Sequence, residues 1–133
     1  MNLQQELDDF MAQVRTQVPA EVLAPIERFY AQELHTVDRF PQVLKVGDKA
    51  PGFLLPDAHG RAVSSVGLLE RGPIVLSFYR GAWCPFCNME LRSLQQALPE
   101  FEALGARLVA VSPEKPDQSL PLVEREGLRF PVL

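Results

Sequence analysis

The sequence predicts an α/β domain behind a short helical preface. Three observations carry this. Residues 74–79 form a continuous apolar run of strand length, which suits a strand buried on both faces, and residues 106–112 read as the next strand. Between them Leu91, Leu94, Leu98, Phe101 and Leu104 recur at helical spacing. Residues 3–37 carry helical periodicity and no strand pattern. From residue 74 the order is strand, helix, strand, helix. That is a βαβ unit, whose parallel strands are joined by a right-handed crossover.

Length and composition bound the rest. A chain of 133 residues, 47% hydrophobic, is one domain long enough to bury a core. A net charge of −4 argues against nucleic acid or an anionic membrane as partner. No apolar run approaches the ~20 residues of a membrane span. The acidic N-terminal stretch lacks the charged-then-apolar order of a signal peptide. The cytoplasm is therefore the expected setting. There, a close cysteine pair is more often redox-active or metal-binding than a structural staple.

Taken in order, Leu3, Leu7, Phe10, Met11, Val14 and Val18 give a first helix over 3–18, closed by Pro19. A second helix runs from Ala20 to Val37, with Ile26, Phe29, Tyr30 and Leu34 on one face and Pro25 in its first turns. Pro41 ends this preface. The expected division is a helical extension over 1–45 and an α/β domain over 46–133. Two short extended pieces, Phe53–Leu55 and Ala62–Ser64, flank a turn containing Asp57, His59 and Gly60. After strand 74–79 a helix starts near Cys84–Pro85. Pro99 falls inside its stripe and is expected to kink it, and Gly105 is a stop. A last helix runs from Pro116 to Glu126, stops at Gly127, and residues 128–133 begin another extended piece.

The chemistry lies in Cys84 and Cys87, the only two cysteines, spaced C-x-x-C where strand 74–79 gives way to a helix. Open α/β sheets place their sites at that carboxyl end. Pro85 suits a first helical turn, because its missing N–H would be unpaired there anyway. Cys84 then sits at the helix start and Cys87 within the first turn. Both are expected to feel the positive end of the dipole, which lowers a thiol pKa and favours the nucleophilic thiolate. Arg80 and Arg92 add positive charge. Trp83, Pro85 and Phe86 supply an apolar rim. Cys84, following Trp83 at the loop end, is expected to be the more exposed of the pair. Two residues between the cysteines let them close a small disulfide on one turn.

Plainer readings stand beside this one. A zinc site takes four ligands, and only His35 and His59 remain, so the pair could supply half a site shared across a dimer. Two inert buried cysteines are the other reading, since free cysteine is often core. His59 reads as a turn residue and His35 as a helix-surface residue, neither a base. Phe29, Tyr30 and Phe101 read as core, Ser112 as a strand end, and the charges of residues 124–129 as a solvated helix end.

At these residues the sequence resembles the peroxiredoxin family (alkyl hydroperoxide reductase and thiol-specific antioxidant), in its C-x-x-C branch. The resemblance runs from Val46 to Leu133, through VGDKAPGFLLPDAHGRAV, GPIVLSFYRGAWCPFCNMELRSLQ, GARLVAVSPE and GLRFPVL. It implies a thioredoxin-like fold with peroxiredoxin-type additions, ending before the fold's C-terminal β-hairpin and helix. Strand 74–79 would then lack a neighbour on one side and leave an apolar edge open. The family carries F-Y-P, then T-x-x-C-P-T-E-L. Laid on FYRGAWCPFCNMEL without gaps, this puts Cys87 on the peroxidatic cysteine and Cys84 on the threonine that orients peroxide. The thioredoxin pattern W-C-x-x-C instead makes Cys84 the nucleophile and Cys87 the resolving residue. Arg80 stands where the family has proline, and the family's thiolate-contacting arginine would fall beyond Leu133.

The function this implies is thiol-dependent reduction of peroxides, with Cys84 and Cys87 catalytic and Arg80, Trp83 and Pro85 supporting the thiolate and substrate. The implied partners are a peroxide, a thiol reductant such as thioredoxin or glutathione, and a second copy in a homo-oligomer. No bound cofactor is implied. A thioredoxin-like thiol-disulfide oxidoreductase and a non-catalytic association fragment are the alternatives.

Overall fold

A computed structural model of the chain describes residues 2–33 and 43–133. The chain divides into two compact units, Asn2–Pro51 and Gly52–Leu133.

In the first unit, α1 (Leu3–Gln17) starts at Asn2, whose side chain accepts the N–H groups of Gln4 and Gln5 and so satisfies helix-start donors. Pro19 follows its end. Helix α2 (Ala20–Glu33) tolerates Pro25 near its start. Arg15 reaches Glu27 at 2.9 Å, an exposed pair worth little on its own. Phe29 and Tyr30, read as core in the sequence, are exposed instead; their rings meet edge-to-face at 5.8 Å. Helical spacing identifies one face of α2 but not whether a neighbour covers it. Leu34, His35, Pro41 and the expected helix end at Val37 lie outside the described residues.

The second unit opens with an antiparallel hairpin of β1 (Leu54–Pro56) and β2 (Ala62–Ser64). Ser64 then caps a five-residue helix, α3 (Ser65–Leu69), which the sequence reading did not anticipate. Strand β3 (Ile74–Phe78), helix α4 (Pro85–Ala103), strand β4 (Arg107–Val111) and helix α5 (Pro116–Glu126) complete the expected βαβα order. Strands β3 and β4 run parallel, in register from Ile74 opposite Arg107 to Phe78 opposite Val111. Beyond β4, Val132 bridges Ala110 in parallel. The Ala110 N–H donates to the Pro131 carbonyl at 3.0 Å and the Leu133 N–H to the Ala110 carbonyl at 2.9 Å. Strand β4 is thus flanked on both sides. Among the described residues, β3 pairs only with β4.

This asymmetry decides burial. Leu108 and Ala110 of β4 pack with Leu91 and Leu98 of α4, Leu122 and Val123 of α5, and Phe130 and Val132. Strand β3 is only half-buried, and Phe78 is 76% exposed. The apolar run of residues 74–79 reads as burial on both faces, yet only one edge of the strand is paired. Pro99 does not end α4, which runs unbroken to Ala103. Pro99 is exposed, and its lost N–H removes one helical bond while buried Leu91 and Leu98 hold the helix down. Helix α5 ends at Gly127, whose φ of 61° is the left-handed cap that glycine adopts at no steric cost.

Candidate active site

The site lies where β3 gives way to α4. The Tyr79 N–H adds one more rung to the ladder, donating to the Val111 carbonyl at 2.9 Å. The Tyr79 ring is buried, and its hydroxyl lies 3.2 Å from that of Ser119 on α5. Residues 80–83 then turn the chain into the helix. Cys84 is its N-cap, with φ −92° and ψ 110°, and its side chain makes no capping hydrogen bond. Pro85 occupies the first helical position, where its missing N–H costs nothing. The Cys84 carbonyl accepts the Asn88 N–H at 3.1 Å.

Both thiols are free, and the Cys84 side chain lies close enough to Cys87 to act on its ionisation. The turn therefore brings the pair together. Their burial reverses the expected order: Cys84 is 3% exposed and Cys87 8%. The electrostatics of Cys87 also depart from expectation. Burial pushes its thiol pKa above the ordinary 9.0, and the neighbouring Cys84 side chain also favours the protonated form. The Arg80 backbone N–H, donated to the Cys87 sulfur, pulls the other way; nearby Cys84 and Glu90 push up again. Helix-start donors favour a thiolate, but the cost of removing it from water is larger here.

The supporting residues divide. The Arg80 guanidinium carbon lies 4.6 Å from the centroid of the exposed Trp83 ring, a cation–π stack at the rim. Pro85 is exposed beside Cys84, and Phe86 packs against the core. Arg92 lies 3.4 Å from Glu126 of α5, so its charge is offset by that carboxylate. Phe78, Arg80, Trp83, Val111 and Pro113 line an open groove of about 590 Å³ at the carboxyl ends of β3 and β4. His59 is exposed in the β1–β2 turn, and His35 lies outside the described residues. Among the described residues, no three His, Cys, Asp or Glu side chains gather as a metal site.

Two contributors escaped sequence reasoning. Glu114, on the β4–α5 loop, accepts the Ala82 N–H through Oε2 at 2.8 Å. Asn88 donates through Nδ2 to the Ala82 carbonyl at 3.0 Å. Between them Gly81 takes φ 147°, and a Cβ there would come within 2.5 Å of Trp83 Nε1 and 2.7 Å of Glu114 Oε1. Only the glycine before Trp83 hints at this tight turn, and no spacing rule links residues 82 and 114.

Residues 46–133 match the AhpC/TSA family. Rv2521 of Mycobacterium tuberculosis, assigned by name to the peroxiredoxins, is 39% identical over 90 residues, covering 68% of this chain and 57% of that protein. The thiol-disulfide oxidoreductase ResA of Bacillus anthracis is 28% identical over 90 residues, covering 67% and 51%. The crystal structure of peroxidoxin BcpB from Mycobacterium tuberculosis superposes with a TM-score of 0.66 at 31% identity, covering 68% and 59%. The chain spans little more than half the length of these curated relatives. The family match takes in the whole of the second compact unit, where the parallel β3–β4 pair and the start of α4 lie. The chain belongs to the AhpC/TSA family, with the thioredoxin-like fold of the peroxiredoxins.

Proposed function

We propose that Cys84 and Cys87 form a redox-active dithiol that reduces peroxides. The observation that carries this reading is the placement of two free, buried, neighbouring thiols at the start of α4, in a chain of the AhpC/TSA family. One thiolate attacks the peroxide O–O bond, takes one oxygen as a sulfenic acid, and releases the other as an alcohol or water. The second thiol then displaces that oxygen as water and closes a disulfide. The two electrons come from the two thiols, and an external dithiol or glutathione-type thiol returns them. Arg80 and Trp83 form the rim over which substrate enters, and Pro85 sets the helix start. The proposed setting is the cytoplasm, where thiol pools keep such a pair reduced. No helix among the described residues is long and apolar enough to cross a membrane.

A second reading rests on the likeness to ResA and on the W-C-x-x-C order: exchange with protein disulfides. Consumption of hydrogen peroxide and of an organic hydroperoxide with dithiothreitol, beside insulin reduction, separates the two. Peroxide turnover lost in the double variant Cys84→Ser/Cys87→Ser is the expected result. Insulin reduction without peroxide turnover would favour the exchange reading.

A further inference from the structure

We infer that Glu114 is a positioning residue for the cysteine pair: its carboxylate fastens the Gly81–Cys84 loop and governs access to the Cys84 thiol. This rests on the pair being the reacting site. The loop is held by the Cys84 N–H on the Gly81 carbonyl at 3.1 Å and by Asn88 Nδ2 on the Ala82 carbonyl. Both come from the loop itself or from α4. The Ala82 N–H is different, because Glu114 accepts it from across the β4–α5 connection, 32 positions further along the chain.

The bond from the Ala82 N–H to Glu114 Oε2 is charge-assisted at 2.8 Å, the stronger class of hydrogen bond. Glu114 is itself anchored. Its N–H donates to Ser112 Oγ at 3.2 Å, and the Ser112 N–H donates to the Leu133 carbonyl at 2.9 Å. A line of hydrogen bonds thus runs from the C-terminal segment to the loop. Gly81 shows how close the carboxylate comes: the backbone conformation there leaves no room for a Cβ between Glu114 Oε1 and the Trp83 indole nitrogen. Cys84 ends this loop and is almost fully covered. A thiol so covered meets reagents larger than a small peroxide only when the loop shifts, and the Ala82–Glu114 bond opposes that shift.

Site-resolved alkylation with iodoacetamide, followed by mass spectrometry, tests this on the chain as it stands. In Glu114→Ala, Cys84 should react about tenfold faster than in the wild type, the factor a lost charge-assisted bond supports. Cys87, held from α4, should change less than about threefold. Glu114→Gln keeps an amide oxygen for the Ala82 N–H and should stay within about twofold of wild type. A merely structural role would speed both thiols together and would not be rescued by glutamine. Equal acceleration at the two cysteines overturns the inference, as does an alanine variant that reacts like wild type at Cys84. So does a glutamine variant that reacts like alanine. Amide exchange by NMR on the unaltered protein gives a second reading: the Ala82 N–H should be protected, and free exchange there also overturns the tether. Both measurements read access and protection rather than turnover. A chain that consumes no peroxide therefore leaves this test standing, and a failed tether leaves the peroxidase reading standing.

Discussion

The Cys84 and Cys87 thiols are neighbours at the first turn of α4, near enough for one to act on the other's ionisation, and both are covered by the surrounding fold. Thiols so placed need little backbone movement to form a bond. Mild oxidation should therefore close an intramolecular Cys84–Cys87 disulfide. Mass spectrometry after alkylation should show two thiols lost per chain and a mass lower by two hydrogens. A covalently linked dimer as the main oxidised product would contradict the pairing, and zinc retained at stoichiometry would point to the metal reading.

The raised pKa of Cys87 fixes a pH dependence. Burial makes its thiolate costly in the folded chain, so the fold holds the proton to higher pH than the unfolded chain does. The stability contributed is fully present below the unfolded thiol pKa. It is lost as pH rises through the folded value, above 9.0. Alkylation of Cys87 should keep accelerating past pH 9.0. Urea midpoints of the wild type should fall on that alkaline limb more steeply than those of Cys87→Ser. A Cys87 rate that levels off near neutral pH would show that the Arg80 N–H outweighs burial.

The β1–β2 turn depends on Asp57. Its Oδ1 accepts the N–H groups of His59 and Arg61 at 2.9 Å each. Its Oδ2 accepts Arg61 Nε–H at 2.9 Å and lies 2.8 Å from Arg61 Nη2. Burial pushes the Asp57 pKa up, but these bonds outweigh it and hold the carboxyl below 3.8. The adjacent Ala58 N–H ties the turn to the Val132 carbonyl at 2.8 Å. Asp57→Ala should cost about 2 kcal/mol, mostly from stranded backbone donors, since the exposed Arg61 guanidinium is screened. A lowered folded pKa means this stability is present above the unfolded carboxyl pKa and disappears as pH falls through the folded one. Denaturation curves of wild type and Asp57→Ala should converge in acid. A gap that persists unchanged at pH 2, about two units below an ordinary carboxyl, would assign the loss to packing.

Much of this architecture is legible in the chain. Pro116 and Gly127 bound α5 because one suits a helix start and the other a left-handed stop. Cys84–Pro85 marks the start of α4 for the same local reasons. What escaped depends on distance or shortness. Helix α3 is too short to show a period, and only the Ser64 cap announces it. The apolar composition of β3 points to fuller burial than the strand has, because composition does not reveal how many neighbours it finds. The order of exposure of Cys84 and Cys87 depends on how the Gly81–Cys84 loop folds back. That is partly set by Glu114, a contact no local pattern encodes.

The open side of β3 gives a further expectation. Its half-buried residues end in exposed Phe78, and among the described residues its outer edge has no strand partner. Unpaired apolar edges template association. Light scattering of the chain should show dimers or larger species, and Phe78→Glu should shift them toward monomer. A monomeric wild type at high concentration would show that the edge is protected in solution.

The remaining question is which cysteine attacks peroxide. Access does not favour Cys84, because it is the more covered of the two. Cys84 also commits no side-chain hydrogen bond to the helix end. Cys87 receives the Arg80 N–H on its sulfur, a donor that stabilises a thiolate as charge develops. Its raised pKa limits the thiolate population at neutral pH without changing where a small peroxide meets it. The expected assignment is therefore Cys87 for peroxide, with Cys84 resolving, and Cys84 for bulky disulfides once the loop has opened. Cys84→Ser treated with peroxide and a sulfenate trap should be labelled at Cys87, and the labelling should accelerate with pH. Cys87→Ser should give little label at Cys84. The reverse pattern makes Cys84 the peroxidatic residue. If neither variant traps a sulfenate and the wild type leaves peroxide untouched, the disulfide-exchange reading replaces the peroxidase one.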